Sequence, residues 1–219
     1  MSSMGISFKN NKEQQELVRL IYEKGHPIIF CTGKAGTGKT FATLAAALQL
    51  VRDKRYGHII YARNPIQIGE DMGALPGTAE EKYSPFMGPL MDNLEAIKRV
   101  SSEKPNVNNM RVQIETVPIA FLRGRSFEDT IVIIDEAQNL DLTALKTILT
   151  RIGKFSKVIL LGSMNQIDDP RQRNKNKCDF QRVMDKLRDR DYVAYINLVD
   201  SMRSPICTEI DDLLSEIEN

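Results

Sequence analysis

Apolar and polar positions along this chain follow two alternating rhythms. Segments Lys12 to Glu23, Lys39 to Lys54, Phe86 to Val100, Leu142 to Gly153, Phe180 to Leu187 and Pro205 to Ile217 carry apolar residues at helical spacing or are rich in good helix formers. Between them lie short β-like runs: Ile28 to Cys31, His58 to Ala62, Arg111 to Val117, Thr130 to Asp135, Lys157 to Gly162 and Val193 to Val199. Several are apolar at consecutive positions, as strands covered on both faces are. Strands alternating with helices predict an α/β fold, a mostly parallel central sheet with helices on both faces. Two stretches break the rhythm. Asn64 to Pro89, rich in Gly and Pro, is expected to form a long ordered loop, and the polar Ser101 to Asn109 a mobile one. Residues 64–110 are thus expected as a loop-rich excursion within a single domain over 1–219.

Ligands of such sheets gather at the carboxyl ends of the strands. One of those ends carries the strongest signal in the chain. Gly33-Lys34-Ala35-Gly36-Thr37-Gly38-Lys39-Thr40 matches the phosphate-loop pattern G-x-x-x-x-G-K-[ST] directly after an apolar run and directly before an alanine-rich helical segment. Glycines let the backbone turn its N–H groups onto an anion, Lys39 reaches the terminal phosphates, the Thr40 hydroxyl ligates magnesium, and the helix that runs on through Phe41 adds its positive end. ATP with Mg²⁺ is the expected ligand pair. Ile131-Val132-Ile133-Ile134 then runs straight into Asp135-Glu136. Asp135 is placed to hold the metal, and Glu136 to polarise the water that attacks the terminal phosphate. Past the strand Val158-Ile159-Leu160-Leu161, within Gly162-Ser163-Met164-Asn165-Gln166, Gln166 is a candidate sensor of that phosphate or water. Gln14, at the head of the first helix, is a candidate for reading the adenine edge.

Composition narrows the classes around this chemistry. With 219 residues, 42% of them hydrophobic, the chain buries a proper core but has no room for two motor lobes. Formal net charge is +1, so any nucleic-acid contact has to come from a local basic patch. Cys31, Cys178 and Cys207 lie far apart without C-x-x-C spacing and are joined by only two histidines, His26 and His58, which argues against a zinc site or a disulfide framework. No apolar run approaches the ~20 residues of a membrane span, and the N-terminus lacks a signal pattern. A cytoplasmic location is expected.

The order of these pieces, together with Leu75-Pro76-Gly77, Glu81-Lys82-Tyr83, Phe121-Leu122-Arg123-Gly124-Arg125, Asp135-Glu136-Ala137-Gln138-Asn139 and Leu149-Thr150-Arg151-Ile152-Gly153, closely resembles the PhoH family of phosphate-starvation-inducible ATPases over nearly the whole chain. The resemblance implies a P-loop NTPase fold, a single RecA-like lobe related to superfamily 1 helicases. It further implies ATP hydrolysis, RNA as the suspected substrate, and a homo-oligomer, a hexamer. Relatives fused to a PIN nuclease domain act on RNA, but no PIN-like acidic cluster is recognisable here, so no intrinsic nuclease is expected. Two positions depart from the family. Gly162-Ser163 stands where Gly-Asp is usual, and Arg63-Asn64-Pro65 where Arg-Pro is usual. The first removes a carboxylate from beside the phosphates.

Phosphoryl transfer often needs an arginine at the terminal phosphate, worth ~10³- to 10⁵-fold in rate. Arg151 and Arg203 are candidates, expected to act from a neighbouring subunit in a ring. The densest basic stretch holds Arg171 and Arg173, followed by Lys175, Lys177, Arg182, Lys186, Arg188 and Arg190, but lacks the interleaved aromatics that stack bases. Arg63, Arg123 and Arg125, expected in loops at the nucleotide edge, are alternative contacts for RNA or single-stranded DNA. The leading expectation is an ATPase that works on RNA or single-stranded DNA. A nucleotide-gated interaction module with little turnover that recruits a separate enzyme is the alternative, and a small-molecule kinase a distant third.

Overall fold

A computed structural model describes residues 2–63, 88–164, 166–173 and 175–218. Six strands form one parallel sheet: β3 (Ile28–Gly33), β4 (His58–Arg63), β5 (Ile114–Pro118), β6 (Thr130–Asp135), β7 (Lys157–Gly162) and β8 (Val193–Leu198), in the order β5-β4-β6-β7-β3-β8. The expected α/β class with a parallel sheet covered on both faces is the fold observed. Alternation of side chains divides the core in two. Ile59, Tyr61, Ile131, Ile133, Ile159 and Leu161 face one side, and Ile60, Ala62, Val132, Ile134, Val158 and Leu160 the other.

Helices α1 (Lys12–Tyr22), α2 (Lys39–Arg52) and α3 (Gly88–Val100) cover the first face, and α5 (Leu142–Leu149) and α7 (Asp179–Leu187) the second. Helix α2 is buried along most of its length, and its alanines let it approach the sheet closely. Helix α1 begins where Asn11 accepts the backbone N–H of Gln14 at 2.8 Å. Its other end is closed by Lys157, fully buried at the start of β7, whose ammonium donates to the carbonyls of Leu20, Glu23 and His26 at 3.3, 2.7 and 2.6 Å.

Most bounds differ from the sequence expectation by one or two residues, and the larger departures fall in short or polar segments. The strand expected from Arg111 starts at Ile114, because Val107–Val112 forms helix α4, capped by Asn106 accepting from Asn108 and Asn109. That helix lies partly in the stretch expected as a mobile loop, whose first residue, Ser101, is buried and bonds Met4. Helix α5 stops at Leu149, before Gly153. A two-stranded antiparallel hairpin, β1 (Ser2–Ser3) and β2 (Ile6–Ser7), carries Met4, Ile6 and Phe8 into the core. Its strands are too short to show a period. Short helix α6 (Pro170–Arg173) precedes α7, and α8 (Pro205–Glu218) follows β8. The long loop expected over 64–89 falls outside the described residues apart from its last two positions, which open α3.

Candidate functional site

In the sheet order, β7 lies between β6 and β3, so three strand ends stand side by side: Asp135 on β6, Ser163 just past β7, and Gly33 on β3. The loop from Gly33 to Gly38 links β3 to α2 with two glycines in the left-handed region, Gly36 at φ 76° and Gly38 at φ 80°. Both also admit close neighbours. A Cβ on Gly36 would lie 2.5 Å from Arg203 Nε, and one on Gly38 would lie 2.3 Å from Gln14 Nε2. Gln14 spends one amide N–H on the Thr37 carbonyl at 3.0 Å, which ties α1 to the loop. Lys34 and Ala35 line cavities on both sides of the loop or one of them, and Phe41 packs edge-on against Phe8.

Lys39 Nζ closes this loop on itself, donating to the carbonyls of Gly33 and Lys34 at 2.7 and 2.8 Å and lying 3.4 Å from Ser163 Oγ. Burial pushes its ammonium below the ordinary lysine range, which makes an anion arriving there a welcome partner. Thr40 Oγ1 lies 3.3 and 3.4 Å from the two carboxylate oxygens of Asp135. Tyr61 donates its hydroxyl to Asp135 Oδ2 at 2.5 Å, and the Glu136 N–H donates to Oδ1 at 3.1 Å. The Thr40 hydroxyl and the Asp135 carboxylate thus bring oxygen donors together, the kind of group that could hold a hard cation such as Mg²⁺.

Glu136 sits in the left-handed region at φ 55°, ψ 40°, where β6 breaks into a short 3₁₀ turn, Ala137–Asn139. Gln138, fully buried, is a connector whose role its position in the sequence does not announce. Its Nε2 donates to Glu136 Oε2 at 2.7 Å and to the Gln166 carbonyl at 2.8 Å, while its Oε1 accepts the Ser163 N–H at 3.0 Å. Tyr61 was missed as well. Its place two residues before the end of β4, on the face shared with α2, was the only signal available. A cavity of about 320 Å³ unites Lys39, Thr40, Asp135, Glu136, Gln166 and Arg203. A larger one, about 480 Å³, lies across the loop against Asn197 and Asp200 and reaches neither carboxylate of the acidic pair. Lys39, Thr40 and the acidic pair therefore meet in the smaller cavity.

Ser163, the departure noted above, turns its hydroxyl onto the Gly33 carbonyl at 2.7 Å. Arg203 was expected from a neighbouring subunit. Within its own chain it lies against the loop, because the Met202 N–H donates to the Gly36 carbonyl at 2.8 Å and sets the arginine beside Gly36. Arg151 is remote from its own site. It lies between α5 and β7, at the amino ends of the strands, with its Nη1 3.5 Å from the Arg125 carbonyl. Arg125 is also off the expected edge, paired in a fork with Glu115 near the start of β5 at 2.7 and 2.8 Å. Arg63 does end β4 at the nucleotide edge, with Nη2 3.3 Å from Glu136 Oε1, and Arg123 is exposed beyond β5.

The basic stretch is largely matched by local acids. Arg171 pairs with Asp169, Lys175 and Arg182 with Asp179, and Lys177 and Arg188 with Asp185, while Arg173 donates to the Ile167 carbonyl. Its field is weaker than its lysine and arginine content suggests. Cys31 and Cys178 are buried and Cys207 exposed, none in a disulfide, and burial pushes the Cys31 thiol up to about 12. No helix among the described residues is long and apolar enough to cross a membrane. Leu75-Pro76-Gly77, Glu81-Lys82-Tyr83, Asn64, Pro65 and Asn165 lie outside the described residues.

A family model described as PhoH-like protein matches residues 6–215. A PhoH-like protein of Synechocystis sp. is 36% identical over 208 residues, covering 94% of this chain and 61% of that protein. Protein PhoH2 of Bacillus subtilis is 35% identical over 209 residues, covering 93% of this chain and 47% of that protein. The chain thus spans about half the length of the curated relatives it matches. Among solved structures, Pif1 helicase from Candida albicans aligns over 95% of this chain and 44% of its own at 17% identity, with a TM-score of 0.47.

Proposed function

The chain belongs to the PhoH-like protein family, and on that footing we propose that it is a Mg²⁺-dependent ATPase that couples hydrolysis to the binding and remodelling of RNA or single-stranded DNA. One observation carries the reading. The Thr40 hydroxyl and the Asp135 carboxylate converge at 3.3 Å within the cavity that also holds Lys39 and Glu136. Glu136, one residue beyond Asp135, adds the carboxylate that a hydrolytic step uses as its base.

Each residue then has a defined task. The loop N–H groups and the amino end of α2 take the phosphates, and Lys39 moves from the Gly33 and Lys34 carbonyls to the terminal pair. Thr40 and Asp135 would hold the metal, which when bound neutralises charge on the phosphate oxygens. Glu136 accepts a proton from water as the water oxygen bonds to the terminal phosphorus; the bond to the bridging oxygen breaks, and its electron pair leaves with ADP. Arg203 stabilises charge on the phosphoryl group from within the same chain. Gln166 stays the candidate sensor, and Arg63 and Arg123 the candidate nucleic-acid contacts. Assembly as a homo-oligomeric, hexameric ring in the cytoplasm is part of the proposal.

A second reading, a nucleotide-gated interaction module, is favoured by α8, whose Ile206, Ile210 and Leu213 stand exposed at helical spacing just beyond Arg203. Steady-state ATP hydrolysis with Mg²⁺, with and without single-stranded RNA, compared between the intact protein and Glu136→Gln, separates the two. RNA-stimulated hydrolysis lost in the variant supports the ATPase. ATP binding without any Glu136-dependent turnover supports the module.

A further inference from the structure

Both side-chain N–H groups of Gln138 are committed to the site. The side chain is fully buried, and its Nε2 donates one hydrogen to Glu136 Oε2 at 2.7 Å and the other to the Gln166 carbonyl at 2.8 Å. Its Oε1 accepts the Ser163 N–H at 3.0 Å. Turning the amide over would set its oxygen against the carboxylate and the carbonyl and its nitrogen against the N–H, so the partners fix its orientation. Ser163 and Gln166 are themselves joined, since the Gln166 N–H donates to the Ser163 carbonyl at 3.3 Å. One side chain thus grips two residues that follow β7 and the carboxylate that follows β6.

A clamp between the two strand ends is complete with the bonds to Ser163 and Gln166. The third bond goes to Glu136, whose backbone lies in the left-handed region at φ 55°, a conformation that a residue with a side chain keeps where its surroundings hold it. An oxygen that accepts one hydrogen bond keeps a lone pair, so this contact orients the carboxylate and leaves it able to take a proton from water. Arg63 reaches the other oxygen at 3.3 Å from a partly exposed position, whereas Gln138 is the buried support. The neighbouring amide extends the grip. Asn139, also buried, accepts the N–H groups of Asp168 and Asp169 at 2.9 and 3.2 Å. The chain that bears Gln166 is therefore fastened to the 3₁₀ turn Ala137–Asn139 on both sides of that residue.

We propose that Gln138 is a positioning residue that makes one unit of the general base and the phosphate sensor: it holds the Glu136 carboxylate in a fixed place relative to Gln166, which lines the same cavity. The inference rests on the ATPase reading, with Gln166 as its sensor, and adds what aligns the two. A misplacement of about 1 Å at a reacting group can cost on the order of 100-fold in rate. Nucleotide binding draws instead on the phosphate loop and Lys39, which Gln138 does not touch through a hydrogen bond of its own.

The test measures steady-state ATP hydrolysis, and ATP affinity by titration calorimetry, on the full chain and two variants. Gln138→Met keeps the volume and none of the bonds; Gln138→Asn keeps the amide on a stem one methylene shorter. Gln138→Met is expected to lower kcat by about 10- to 100-fold and to change ATP affinity by less than about threefold, the split that separates alignment of reacting groups from binding. Gln138→Asn moves the same way by less and serves if the methionine variant fails to fold. A double-mutant cycle with Gln166→Ala supplies a readout that a merely structural glutamine would leave alone. Gln166→Ala should lower kcat by about tenfold in the intact background and by less than about threefold beside Gln138→Met, where the sensor is already out of line. An unchanged kcat in the Gln138 variants overturns the inference, and so does an equal loss of kcat and affinity, the mark of a structural role. Effects that multiply overturn it too, since base and sensor would then act independently, as does a Gln166→Ala protein as fast as the intact one. Should the intact protein lack hydrolysis that depends on Glu136, the ATPase reading falls and takes the inference with it. Glu136-dependent hydrolysis with any of the other adverse results strikes the inference alone.

Discussion

The Ser163 hydroxyl donates to the carbonyl oxygen of Gly33 at 2.7 Å, so the residue just past β7 holds the first residue of the phosphate loop. The Ser163 hydroxyl oxygen itself lies 3.4 Å from Lys39 Nζ. A single hydrogen bond of this kind contributes about 1 kcal/mol, and Ser163→Ala removes it from the Gly33 carbonyl, which Lys39 also contacts at 2.7 Å. ATP affinity, measured by titration calorimetry, is expected to fall about fivefold. Equal affinities in the two proteins would show that Ser163 fills space and nothing more.

The fold was legible where burial enforces a period. The strand Thr130–Asp135, buried throughout, has the expected bounds, and so has Lys157–Gly162. Short and polar elements were not legible: Val107–Val112 depends on a cap from Asn106, and the hairpin at Ser2–Ser7 on three buried side chains. At the site, spacing revealed the loop and the acidic pair because their function lies in contiguous residues. Gln138 and Tyr61 act across strands, through bonds to Ser163, Gln166 and Asp135, and their roles exist only once the sheet order is known. The arginines were least legible. Arg125 and Arg151 follow strands or helices in sequence much as Arg63 does, but the chain carries them to the other edge.

Tyr61 bears on the metal. Its ring is buried in the core and its hydroxyl is hydrogen-bonded to Asp135, so Tyr61→Phe removes only the group that fixes the carboxylate towards Thr40. Loss of such an outer partner typically weakens metal affinity or activity by about 10- to 100-fold. The Mg²⁺ concentration for half-maximal hydrolysis is expected to rise by about tenfold, with ATP binding in the absence of Mg²⁺ unchanged. A shift in both measurements would mean that the substitution has disturbed the loop.

Arg203 packs against Gly36 of its own chain, so its contribution should not depend on a neighbour. Arg203→Ala is expected to lose about 10³-fold or more in kcat. Mixing it with Lys39→Ala distinguishes the geometries. An arginine acting across an interface would restore activity in mixed assemblies, because each mutant supplies what the other lacks. An arginine acting within the chain would not. Recovery of activity on mixing would overturn the cis assignment.

Lys157 tests the far end of the fold. Burial pushes its ammonium down to about 8 from 10.5, with Glu23 pulling the other way, while its three carbonyl partners close α1. Below about pH 8 the group is charged in both folded and unfolded chains, and the folded chain bears the cost of burying it. Between about 8 and 10.5 the unfolded chain binds the proton more tightly than the folded one, so rising pH favours the fold. Relative to Lys157→Met, which cannot titrate there, the intact protein should gain stability across this window, by about 3 kcal/mol if the whole shift is expressed. Urea denaturation of both proteins from pH 7 to 10 measures the difference and cancels the other groups that titrate in that range. Parallel stability curves would mean that the three carbonyls offset the burial and that Lys157 stays charged throughout.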